Sequence, residues 1–117
     1  QEPVRATERL VGELKRAGYR LYVLSNMSRE FIDFLRRADV YALFDGEVVS
    51  CEEGTVKPEP RIYRILLDRY GLDPAQTLFI DDRAANIAAA REAGIDGFLF
   101  DSHDPEASCE ALRQRLL

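Results

Sequence analysis

The sequence is poor in the residues that most often carry chemistry near neutral pH. It holds one histidine, His103, and two cysteines, Cys51 and Cys109, in 117 residues. The cysteines form no C-x-x-C pair, which excludes a zinc-ligand cluster, and no Ser-His or Cys-His arrangement of recognisable spacing is present. Both thiols are expected to be ordinary buried or half-buried side chains, and His103, in the stretch DSHDPE, a loop residue before a helix. Long apolar runs are missing as well, so a membrane-spanning helix is excluded. With no signal-peptide pattern over residues 1–10, the chain reads as cytoplasmic. Positive charge is not in excess: 16 basic residues against 21 acidic ones leave a net charge of −5, which argues against a general nucleic-acid binder. Lysine is scarcer still, with Lys15 and Lys57 standing beside 14 arginines. There is no internal repeat, low-complexity run or Gly/Ser/Pro linker, so residues 1–117 are expected to form one domain.

What is present suits a packed globular unit. The chain is 46% hydrophobic and 32% charged, and at this size roughly two thirds of the unfolded surface is buried on folding. Residues left for chemistry are the carboxylates, Lys57, the hydroxyls and an oxygen-ligated cation. Along the chain, Val4, Leu10, Val11, Leu14 and Ala17 recur with helical spacing, and Gly18 supplies a stop. Tyr19–Leu24 reads as a strand leading into Ser25-Asn26. Ser28 then caps a helix carrying Phe31, Ile32 and Leu35 on one face. A second strand is expected over Asp45–Cys51, followed by an acidic loop to Pro58 and a helix opened by Pro60. Thr77–Ile80 is a continuous hydrophobic run that delivers Asp81-Asp82 at its carboxyl end. A helix over Ala84–Ala93, a strand within Ile95–Phe100 and a last helix over Pro105–Leu117 complete the series. Strict alternation of strand and helix predicts an α/β domain, a parallel sheet with helices on both faces. In such sheets ligands bind at the carboxyl ends of the strands.

Ser25-Asn26, Lys57 and Asp81-Asp82 all fall at that rim. Each has an ordinary structural explanation on its own: turn chemistry, a solvated lysine, a helix cap. Together they suggest an anion site. Adjacent carboxylates repel each other and resist desolvation, so they call for a compensating cation, either Lys57 or a metal. Magnesium suits because it prefers oxygen and is often held by one or two carboxylates with phosphate completing its shell.

These residues resemble the motifs of the haloacid dehalogenase-like (HAD) hydrolase superfamily, in the branch with a helical cap after the first strand. Ser25 after L-Y-V-L resembles its second motif, Lys57 in GTVKPEPRIY its third, and FIDDRAANIAAAREAG, residues 79–94, its fourth. With Leu24-Ser25-Asn26, they are most similar to small sugar-phosphate phosphatases, such as α-glucose-1-phosphate phosphatases, and to the phosphatase domain of soluble epoxide hydrolases. The resemblance implies a Rossmann-like core and a magnesium-dependent phosphatase acting on a small phosphorylated metabolite through an aspartyl-phosphate. It implies that Ser25 hydrogen-bonds the phosphoryl group, with help from the backbone or amide of Asn26, and that Lys57 neutralises nucleophile and phosphate. It further implies that Asp82 binds magnesium, that Asp81 supports the metal or positions Lys57, and that Asn86 braces the loop.

The family's first motif, D-x-D-G-[TV], supplies the nucleophile, and no D-x-D occurs here. Phe44-Asp45-Gly46 is a faint likeness placed before the wrong strand. The resemblance therefore implies the carboxyl-terminal part of a HAD core, without the first strand or the cap, inactive alone, with a gap between the strands ending at Ser25 and Asp81. The competing reading is a noncatalytic phosphate- or partner-binding domain whose open strand edges are closed by a second chain or a dimer. A receiver domain gathers similar groups, but with the acidic pair early and the lysine last, the reverse of the order here.

Overall fold

The computed structural model describes residues 2–26 and 39–117. The helix expected after Ser28 lies outside them. Helix α1, Glu2–Arg16, buries Leu10 and Leu14, one turn apart, and the chain turns away at Gly18 with φ +98°. Strand β1, Tyr22–Ser25, is followed by a short 3-10 turn, Asp39–Leu43, and strand β2, Gly46–Val49. A single helical turn, α2, spans Ser50–Glu53, and Gly54 in the left-handed region ends it. Helix α3 is Pro60–Tyr70, with Pro60 in its first turn as expected. Then come a 3-10 turn at Pro74–Gln76, β3 at Leu78–Asp81, α4 at Ala84–Glu92, β4 at Asp96–Leu99 and α5 at Pro105–Leu116.

The second strand is shorter than expected. Val48 and Val49, β-branched and fully buried, are its last residues. Ser50-Cys51-Glu52-Glu53 has no β-branched side chain and turns into helix, so Cys51 is exposed rather than buried. Cys109 is buried in α5, and burial pushes its thiol pKa up. His103 lies in the loop before α5, its N–H bonded to Asp101, and Asp104 caps the helix by accepting from Ala107 N–H.

The architecture is the expected parallel α/β layering. β1 pairs with β2 from Tyr22 opposite Gly46 to Ser25 opposite Val49, and β3 pairs with β4 from Leu78 opposite Asp96 to Asp81 opposite Leu99. Among the described residues the two pairs do not join, so the strands ending at Ser25 and Asp81 flank a break in the sheet. Ile80 is 38% exposed in β3, whereas a strand covered on both faces would bury it.

Packing holds the two pairs together. On one face, Ile62, Tyr63 and Leu66 of α3 share a buried cluster with Val48 of β2, Phe79 of β3 and Ile87 and Ala90 of α4, so α3 spans the break. The Tyr63 ring meets Phe79 edge-on, with centroids 5.5 Å apart. On the other face, Leu10 and Leu14 of α1 pack with Cys109 and Leu112 of α5, over Leu21, Leu78 and Phe98. Asp45 sits at the amino ends of β1 and β2, bound to Lys15 Nζ (2.6 Å) and Leu21 N–H (2.7 Å). The Lys15 bond, then the Leu21 N–H, hold its carboxyl below the usual aspartate range. Its neighbours are thus at the opposite edge of the sheet from Asp81, and the likeness of Phe44-Asp45-Gly46 to a first motif has no counterpart in the fold. No helix among the described residues is long and apolar enough to cross a membrane.

Candidate functional site

The carboxyl ends of β1 and β3 and the loop between α2 and α3 meet at one rim. There a cavity of about 620 Å³ is lined by Ser25, Asn26, Lys57, Asp81, Asp82 and Asn86, the six residues singled out from the sequence, with Pro58 and Arg83 beside them. A smaller hollow between Gly18, Tyr19 and the C-terminal leucines brings together no comparable chemistry.

The centre of the cavity is an ion pair. Lys57 Nζ lies 2.6 Å from Asp81 Oδ2, with the side chains only 12% and 7% exposed. Asp81 Oδ1 accepts the Arg83 N–H at 2.9 Å, and Oδ2 also accepts Asn86 Nδ2 at 3.2 Å. Burial pushes the Asp81 carboxyl up; the Lys57 ammonium, the Arg83 N–H and the Asn86 amide outweigh it and hold the carboxyl below its ordinary value. Asn86 is itself buried, and its carbonyl accepts the Tyr63 hydroxyl at 3.0 Å. Burial, then the Asp81 charge, pushes the Tyr63 hydroxyl up to about 12, so it remains a proton donor. The Lys57 ammonium also stands 5.5 Å from the Phe79 ring centroid, within cation–π range.

Neighbouring aspartates thus have different surroundings. Asp81, the last residue of β3, is committed to Lys57. Asp82 is exposed and makes no hydrogen bond or ion pair among the described residues, which leaves its carboxylate free for a cation. Those residues gather no cluster of three or more metal-binding side chains. A hard cation held by Asp82 would therefore need further oxygen ligands beyond the described side chains, water and phosphate among them, a pattern that fits magnesium.

The Lys57 loop is braced from two sides. Glu59 accepts from Thr55 Oγ1 (2.6 Å) and from Val56 N–H (3.0 Å). The Thr55 bond, then the Val56 N–H, lower its pKa. Asn26 binds the backbone of Lys57 on both its N–H and its carbonyl. The Lys57-Pro58 peptide is cis. Sequence reasoning missed Arg83, Thr55 and Glu59; the four-residue spacing of Thr55 and Glu59 beside Lys57 was the available signal.

Fold and cavity define a parallel α/β protein whose strand-end rim gathers the Lys57–Asp81 ion pair and the free Asp82 carboxylate. A family model described as haloacid dehalogenase-like hydrolase matches residues 2–94, and the chain belongs to that family. It is 34% identical over 106 residues to a sesquiterpene phosphatase of Aspergillus oryzae, a match covering 90% of this chain and 53% of the relative. It is 32% identical over 90 residues to a phosphorylated carbohydrates phosphatase of Thermotoga maritima, covering 74% of this chain and 42% of the relative. A HAD family enzyme of Bacteroides thetaiotaomicron, solved with magnesium and inorganic phosphate, superposes with a TM-score of 0.74 at 29% identity, covering 85% of this chain and 52% of that one. The chain therefore spans about half the length of these relatives.

Proposed function

We propose that this chain carries the phosphate- and metal-binding half of a magnesium-dependent phosphatase that hydrolyses a small phosphorylated metabolite such as a sugar phosphate. The observation that carries the proposal is the nearly buried Lys57–Asp81 pair, opening on the same cavity as Ser25 and the free Asp82 carboxylate. Lys57 brings a positive charge to the phosphoryl oxygens, and Asp81 and Asn86 keep the ammonium in place. Ser25 donates its hydroxyl to the phosphoryl group. Asp82 would hold the magnesium, which when bound adds Lewis-acid stabilisation of charge on the phosphoryl oxygens. The phosphatase relatives and the magnesium and phosphate bound to the Bacteroides enzyme support this reading. It places the enzyme in the cytoplasm with its metabolite, and gives it no nucleic-acid or membrane partner.

Transfer would proceed by attack of an aspartate on phosphorus with release of the alcohol, then hydrolysis of the aspartyl-phosphate by water. The sequence has no D-x-D, so the 117-residue chain alone does not turn over. The complete protein is expected to release phosphate from sugar phosphates in magnesium, and Lys57→Ala or Asp82→Asn is expected to abolish release. A second reading draws on the split sheet: a noncatalytic domain whose open β1 and β3 edges are closed by another polypeptide. Sizing and activity assays separate the two, because a stable, inactive assembly with a stoichiometric partner favours the second.

A further inference from the structure

We infer that Asn26 is a positioning residue for Lys57: its side-chain amide grips the lysine backbone and so sets where the ammonium reaches into the cavity. The inference rests on the reading of Lys57 as a phosphate-binding group. Asn26 Nδ2 donates to the Lys57 carbonyl at 3.1 Å, and the Lys57 N–H donates to Asn26 Oδ1 at 2.8 Å, across 31 residues of chain. One side chain thereby satisfies both backbone polar groups of one residue. Reversing the amide would set donor against donor and acceptor against acceptor, so the network itself fixes its orientation.

The placement gives the grip a purpose. Glu59 holds Thr55 and Val56, just before Lys57 in the same loop, but these contacts are internal to that loop. Asn26 ties Lys57 to the end of β1, directly after Ser25, whose side chain lines the cavity. At its other end Lys57 reaches Asp81 at the end of β3. The lysine is thus held at its backbone by one pair of strands and at its ammonium by the other. The Asn26 amide commits one N–H and its oxygen to this contact, a role beyond direct contact with phosphate.

The test is a double-mutant cycle on inorganic phosphate affinity, measured with the complete protein in magnesium. Asn26→Ala is expected to weaken binding about tenfold, as loss of a supporting partner does. Lys57→Met is expected to weaken it about a hundredfold, and the double variant no further, because Asn26 acts through Lys57. Additive losses overturn the inference. A second readout needs no phosphate: the Lys57 ammonium protons, observable by NMR while the ion pair holds them, are expected to broaden away in Asn26→Ala. An unchanged ammonium signal overturns the inference, including where Lys57→Met does not fold. If the wild-type protein binds no phosphate, the phosphatase reading fails and the ammonium signal alone decides the role of Asn26.

Discussion

At the scale of single residues, the site is governed by what it costs to bury a carboxylate. Asp81 is 7% exposed and stays charged because the Lys57 ammonium and two neutral donors, the Arg83 N–H and the Asn86 amide, surround it. Lys57→Ala leaves that charge without its counterion, and thermal unfolding is expected to report a loss of about 3 kcal/mol. Since the Asp81 carboxyl is depressed on folding, its contribution is present above the unfolded value of about 3.9 and is lost as pH falls from there through the folded value. Urea midpoints are therefore expected to drop more steeply below pH 4 in the wild type than in Asp81→Asn. Ser25, Asn26, Lys57, Asp81 and Asp82 could be picked from the sequence because alternation fixes which edge they share, whereas Asn86, inside α4, was open only to the resemblance. That Asp81 rather than Asp82 takes the lysine was open only to the resemblance, since residue spacing does not say where the α2–α3 loop crosses the rim. The use of the Asn26 amide could not be picked, because a backbone partner 31 residues away leaves no mark in the local pattern.

At the scale of elements, helix α3 does most to join the two halves, with Tyr63 as its centre. Tyr63→Phe keeps the ring against Phe79 but removes the donor to the Asn86 carbonyl, and is expected to cost about 1 kcal/mol in thermal unfolding. The far end of α3 closes on β2 at Gly46, where an added Cβ would stand 2.4 Å from the Tyr70 ring. The Tyr70 hydroxyl there donates to the Glu47 carbonyl and accepts the Glu47 N–H. Gly46→Ala must displace the ring, and a destabilisation of about 1–3 kcal/mol is expected in urea titration. Helix stops at Gly18 and Gly71 follow from backbone chemistry legible in the sequence, and the longer described helices lie where periodicity places them. Ser50–Glu53 escaped notice because a single turn is too short to show a period.

At the scale of the whole molecule, the break between β1 and β3 determines which parts of the core are dispensable. Phe79 faces the α3 cluster and Ile80 faces away from it, so Phe79→Ala is expected to cost about 3–5 kcal/mol. Ile80→Ala, at a residue already 38% exposed, is expected to cost clearly less in the same denaturation assay. Hydrophobic runs announced β3 as a covered strand, but whether a strand lies beside it is a question of topology that no local pattern encodes. The rim below that break is the centre of the account, in which we propose that Lys57, Ser25 and Asp82 together bind phosphate and magnesium. Phosphate release from a sugar phosphate by the complete protein, compared in magnesium and in chelator, for wild type and Asp82→Asn, tests this most directly. The account predicts turnover only for the wild type in magnesium; equal turnover in chelator, or by Asp82→Asn, would contradict it.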